Sequence, residues 1–134
     1  MIKIDGRHPD LSGIECEELI CQQYHHNGRL NDEADVVFLK FSGAWHQLYF
    51  DGGVVHWRLQ SDAPQQREAD SSGVFSYPLV NLGESYGIRG QKISACQVME
   101  TSDGETLTLQ FETGAWLQFK NSGDTTQVHF KGFE

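Results

Sequence analysis

The densest run of chemically capable side chains in this 134-residue sequence is Cys16-x4-Cys21-x3-His25-His26, which brings soft and borderline metal ligands close together. Structural zinc sites use tighter cysteine spacing and a second ligand pair elsewhere in the chain. Cys96 is the only other cysteine, and it stands alone. On a helix, five residues at about 100° each would also put Cys16 and Cys21 on opposed faces. The expectation is therefore three reduced thiols, no metal and no cofactor. Nucleophilic catalysis has no local signature either. There is no Gly-x-Ser-x-Gly elbow, and nothing in the sequence ties Cys96 to His46, His56 or His129. The carboxylate pairs Glu17-Glu18 and Asp32-Glu33 fall in charged stretches that read as solvated, whereas a glycosidase needs two carboxylates at a set separation in a cleft. Gly83-x3-Gly87-x2-Gly90 lacks the Lys-Ser/Thr ending of a phosphate loop and reads as turns, or as the bending points of a flap over residues 77–90. No catalytic residue is assigned, and a non-enzymatic protein is expected.

A second kind of chemistry is written twice. Phe41-Ser42-Gly43-Ala44-Trp45-His46-Gln47-Leu48-Tyr49-Phe50-Asp51-Gly52-Gly53 returns as Phe111-Glu112-Thr113-Gly114-Ala115-Trp116-Leu117-Gln118-Phe119-Lys120-Asn121-Ser122-Gly123. Side chains alternate across a strand. If Leu48 and Phe50 face a core, then Trp45, Gln47 and Tyr49 face away, joined across a hairpin by Val54, His56 and Arg58. In the other copy Leu117 and Phe119 face in, while Trp116, Gln118 and Lys120 face out. Rings interleaved with amides and cations suit a binding surface. The candidate binding residues are Trp45, Gln47, Tyr49, His56, Arg58, Trp116 and Gln118, with Trp45 and Arg58 expected to form a cation–π pair. The competing expectation is that both indoles are packing anchors beneath a covering layer.

Composition narrows the partner. Ten basic residues stand against 19 acidic ones, a net charge of −9. Such a field repels phosphate backbones and anionic lipid and speeds encounter with a basic protein. Asp32, Glu33 and Asp35 are the candidate acidic surface. No apolar run approaches the ~20 residues of a membrane span. The opening residues lack the apolar region of a signal peptide, so a cytoplasmic location is expected.

The elements that must position these groups read as mainly β. The expectation is one domain over residues 1–134, a sandwich or small barrel of about eight strands, with two related halves near 11–60 and 88–131. Strands are expected at residues 36–41, 45–50, 54–59, 77–80, 92–101, 106–111, 115–120 and 126–130. Asp51-Gly52 suits a two-residue hairpin loop and would put Leu48, Phe50, Val55, Trp57 and Leu59 on one face. Residues 25–35 read as a polar loop and 60–76 as the linker between halves. Residues 10–24 read as a short helix, because Ser12-x-x-Glu15 has capping-box form; the duplication argues instead for a turn leading into a strand.

The cadence Leu107-Thr108-Leu109-Gln110-Phe111-Glu112-Thr113-Gly114, then Leu117-Gln118-Phe119, is echoed by Phe38-Leu39-Lys40-Phe41-Ser42-Gly43 before Leu48-Tyr49-Phe50-Asp51-Gly52. It resembles small acidic β-rich bacterial domains of unknown function, some of them immunity proteins encoded beside secreted toxins. The resemblance implies that an acidic surface binds and inactivates a basic toxin without catalysis, and it carries over no individual residue. The alternative is a small-ligand or carbohydrate-binding β domain with Trp45 and Trp116 as stacking platforms. A homodimer through a Trp-rich face is also open.

Overall fold

The computed structural model describes residues 3–6, 10–69 and 71–132; Asp70 of the expected linker and part of the N-terminal stretch lie outside it. Among these residues twelve strands form two sheets, accompanied by a single helical turn. Sheet A contains β1 (Lys3–Gly6), β3 (Glu18–His26), β4 (Arg29–Phe41), β5 (Ala44–Asp51), β6 (Val54–Gln60), β7 (Phe75–Ser76) and β8 (Leu79–Asn81). Its order is β1-β6-β5-β4-β3-β7, with β8 also paired to β3. Sheet B runs β12 (Thr125–Lys131), β11 (Trp116–Ser122), β10 (Gly104–Phe111), β9 (Lys92–Thr101) and β2 (Ile14–Glu15). The helical turn α1 (Leu82–Ser85) lies between β8 and β9, its start capped by the Asn81 side chain accepting from the Glu84 N–H.

The chain is thus a mainly-β, two-sheet fold without barrel closure. The two stretches sharing the Gly-Ala-Trp pattern each build a four-stranded antiparallel meander, β3–β6 in one sheet and β9–β12 in the other. Their inward residues meet in one core. Leu19, Cys21, Val37, Leu39, Leu48, Val55 and Trp57 come from sheet A, and Ile93, Leu107, Leu109, Phe111, Leu117 and Phe119 from sheet B. Removing this apolar area from water is the main stabilising term.

Several expectations are corrected. No helix forms over residues 10–24: the segment contains β2 and β3. Leu19 and Cys21 are fully buried while Ile20 is less so, a two-residue period that pairing on both sides, to β4 and β8, enforces over the partial helical stripe. The Asp10 carboxylate accepts from the Ser12 N–H, making a turn rather than a helix cap. Residues 25–35 are not a loop, because Asn27 (φ 53) and Gly28 (φ 75) make a hairpin turn that lets β3 and β4 run on. At the β5–β6 hairpin the loop is Gly52-Gly53, both at positive φ, and not Asp51-Gly52, so Leu48 pairs with Trp57 instead of Val55 and Phe50 with Val55 instead of Gly53. The apolar face survives this two-residue shift, except that Leu59 is 74% exposed at its end. The expected strand at 77–80 is split at Tyr77-Pro78 into β7 and β8. The expected flap is pinned to the core by Leu82 and by fully buried Ile88. The linker is tied down as well. Gln66 donates through Nε2 to the Tyr77 carbonyl (2.6 Å) and accepts at Oε1 from the Leu79 N–H (3.0 Å), and Arg67 lies 4.0 Å above the Tyr77 ring.

Candidate functional site

The duplicated pattern does not produce one shared face. Trp45, Gln47, Tyr49, His56 and Arg58 lie on the outer side of sheet A, whereas Trp116 and Gln118 lie on the outer side of sheet B, across the core. On sheet A the registers set up rows across the strands. Glu18, Lys40, Trp45 and Gln60 form one row, and Ile20, Phe38, Gln47 and Arg58 the next. The cation over Trp45 is therefore Lys40, 5.8 Å from the ring centroid, and not Arg58, which pairs with Gln47. Phe38 and Trp45 are each only 7% exposed although neither belongs to the core shared by the sheets. Lys40, the residue opposite Trp45 in the ladder, holds its Nζ over the indole. Trp45 is a packing anchor, not a platform.

The acidic segment is rearranged in a way the sequence did not show. In β4 Val36 pairs with Gln22 and Asp32 with Tyr24, so Glu33, Ala34 and Asp35 face the single residue Gln23, a β-bulge. Asp32 is not surface: it is 6% exposed, and its Oδ1 accepts from the Ala34 N–H inside the bulge and from the Thr126 N–H of β12, both at 3.1 Å. One carboxylate oxygen thus fixes the bulge and clips sheet A to sheet B. Burial raises the Asp32 carboxyl above the usual carboxylate range, against the lowering effect of these two backbone donors, with Asp35 and Glu33 adding to the rise.

The bulge turns Asp35 onto the outer face. There Gln22 Nε2 donates to Asp35 Oδ2 at 3.3 Å. Asp35, Val36, Gln47, Tyr49, Phe50 and Asp51 line an open groove of about 460 Å³. Tyr49 is held by a parallel stack on His56, with ring centroids 4.7 Å apart. Among the described residues no lysine or arginine forms an ion pair with Asp35 or Asp51. Other acids are answered within the chain: Arg89 reaches Glu18 and Glu84, and Lys120 reaches Asp103 at 3.3 Å. The Lys120 bond, with a second from Thr101, holds the Asp103 carboxyl below its ordinary range. Two carboxylates flanking a fixed aromatic ring are equipped to receive a guanidinium or ammonium group.

On sheet B, Trp116 is half-buried beside a depression of about 230 Å³ that also involves Gln97, Met99, Thr108, Gln110 and Gln118. Gln118 is engaged with Thr108 (3.1 Å). Acrylamide quenching should therefore be carried by Trp116. Trp116→Phe is expected to leave blue-shifted, poorly quenched emission from Trp45 and Trp57, and persistent quenching in that variant would contradict these positions.

The catalytic alternatives find little geometry. The His46 Nδ1 accepts from the Trp57 indole N–H (3.0 Å), its ring stacks on Phe41 at 4.2 Å, and burial lowers its pKa. Among the described residues no three His, Cys, Asp or Glu side chains converge with metal-ligand spacing. Burial pushes the thiols of Cys16 and Cys96 up to about 12, with nearby glutamates adding to the rise at Cys16, and it raises Cys21 further. Cys16 and Cys21, both fully buried, should resist a disulfide-exchange reagent in the native protein and react fully in denaturant, with half-buried Cys96 reacting ahead of them; rapid native labelling of Cys16 or Cys21 would contradict their burial. An aromatic cluster that the sequence reading passed over also appears: Tyr24 stacks on Tyr77 (5.6 Å) and Phe75 (6.1 Å), and His26 leans on Phe75. The alternation of residues 24, 26, 75 and 77 was its only signal. Its packing braces the far end of the β3–β4 hairpin. No helix among the described residues is long and apolar enough to cross a membrane.

The chain matches no protein-family model, no curated protein and no solved structure.

Proposed function

We propose that this chain is a non-enzymatic binding protein that captures a basic protein partner on the outer face of sheet A. The observation carrying this reading is the groove in which Asp35, presented by the bulge, and Asp51, at the start of a hairpin turn, flank Tyr49. A cationic side chain inserted there would meet two carboxylates and an aromatic face. The net charge of −9 supplies long-range attraction. An immunity-type role against a basic toxin in the bacterial cytoplasm is one setting that fits this chemistry. The test is stopped-flow association with a labelled oligoarginine peptide as salt is raised. The on-rate should fall steeply as screening sets in, and a salt-independent on-rate would remove the steering argument.

A second reading, ligand binding on sheet B, is favoured by one observation: Trp116 and three glutamine amides border the same depression. Indole and amides together suit a sugar ring, and saturable quenching of Trp116 emission by a carbohydrate would favour that reading.

A further inference from the structure

The outer position of Asp35 runs against the phase of its own strand. In β4, Val37, Leu39 and Phe41 point into the core. Strict alternation from them would turn Asp35 inward and leave Asp32 and Ala34 on the outer face. The reverse is found. Ala34 belongs to the core at 2% exposure, Asp32 is buried as well, and Asp35 and Val36 both line the outer groove. The phase changes between Ala34 and Val37, at the bulge where Glu33, Ala34 and Asp35 face Gln23.

Two side chains hold this change of phase, one on each side of the sheet. The extra residue of a bulge is left out of the ladder, and here the Ala34 N–H donates to Asp32 Oδ1 (3.1 Å). The same oxygen accepts from the Thr126 N–H (3.1 Å) of β12, which packs against β4. On the outer side Gln22, itself only 9% exposed, donates through Nε2 to Asp35 Oδ2 (3.3 Å).

We propose that Asp32 is the positioning residue of the cation-binding groove; this rests on the groove being the site of cation capture. Asp32 does not line the groove. It acts through the bulge: its carboxylate keeps β4 in the register that presents Asp35 beside Tyr49. Opening the clip to Thr126 frees β4 to return toward strict alternation, which withdraws the Asp35 carboxylate from the outer face. The coupling is reciprocal. A cation held by Asp35 favours the bulged register, and it thereby tightens the Asp32–Thr126 clip on the far side of the sheet. The groove on one sheet and the junction between both sheets are then two ends of one device.

The test compares oligoarginine affinity, by titration calorimetry at fixed low salt, among variants shown to be folded by circular dichroism. Asp35→Asn should lower the affinity roughly threefold, as one partly exposed ion pair implies. Asp32→Ala and Asp32→Asn change the charge equally, but only asparagine keeps the accepting oxygen. Asp32→Ala should therefore lose a similar factor, while Asp32→Asn stays near the parent. Asp32→Ala combined with Asp35→Asn should bind no more weakly than Asp32→Ala alone, because the alanine has already withdrawn Asp35. A folded Asp32→Ala that binds like Asp32→Asn, or losses that multiply in the double variant, would overturn the positioning role and leave the groove standing. An Asp35→Asn variant that binds like the parent would remove the groove, and the role of Asp32 with it. Amide hydrogen exchange on the parent tests the linkage without any substitution. Saturating oligoarginine should slow exchange at Ala34 and Thr126 more than at Leu117, a core position of β11 outside the clip. Equal slowing at all three would also overturn the proposal.

Discussion

Asp32→Ala should cost about 3 kcal/mol of folding stability, whereas Asp32→Asn should cost little or nothing. The carboxylate is buried, and one oxygen serves two backbone donors, Ala34 N–H in the bulge and Thr126 N–H on the facing sheet. Alanine leaves both donors unsatisfied away from water, at about 1–3 kcal/mol each, partly relieved by relaxation. For a chain of this size that is a fall in Tm of roughly 10 °C. Asparagine keeps the accepting oxygen and sheds a charge that burial penalises. The pH dependence follows from the same burial. The folded protein holds the Asp32 proton more tightly than the unfolded chain, so this group's contribution is fully present below the ordinary carboxylate value of 3.8 and is lost as pH rises through the higher folded value. Asp32→Asn should flatten that part of the stability profile. Chemical denaturation of the three proteins across acidic pH is the check. Equal losses in the alanine and asparagine variants would mean that the backbone donors are not what Asp32 serves.

Removing the groove carboxylates should weaken binding of a basic peptide far more than removing the same charge elsewhere. Asp35→Asn with Asp51→Asn takes two charges from beside Tyr49 and should lower oligoarginine affinity roughly tenfold, as expected for two partly exposed ion pairs. Glu68→Gln with Glu112→Gln removes two exposed carboxylates outside the groove and changes net charge equally. It should lose only the small long-range share. Tyr49→Ala tests the ring separately, since it also frees His56 from the stack. Titration calorimetry at fixed low salt compares the variants. Equal losses in the two charge-matched pairs would show that peptides bind the overall negative field and not the groove.

The sequence announced the strands wherever a two-residue period and a glycine turn coincided. Leu107, Leu109 and Phe111 alternate with Thr106, Thr108 and Gln110, and the first set lines the core. Trp57 was legible as core for the same reason. What stayed hidden depended on contacts between distant strands. Residues 18–26 form a strand because β4 and β8 hold both sides, which a local helix-cap signal cannot reveal. That Trp45 is buried on the outer face, with Lys40 over its ring, depends on neighbours that only the strand register brings together. The acidic triplet was legible only as charge. That Asp32 turns in while Asp35 turns out needs the bulge, and the donor that receives Asp32 on the facing sheet, Thr126 N–H, lies 94 residues along the chain. The parallel pairing of β1 with β6 left no readable trace.

The most direct measurement is an amide NMR footprint of oligoarginine on the isotopically labelled chain at low salt. Shift changes concentrated at Asp35, Val36, Gln47, Tyr49 and Asp51, with weaker changes at His56 and Arg58, are the predicted result. Changes scattered over every acidic turn, or centred on Asp103, Glu105 and Asp124 at the end of the sandwich, would contradict a binding site on the outer face of sheet A.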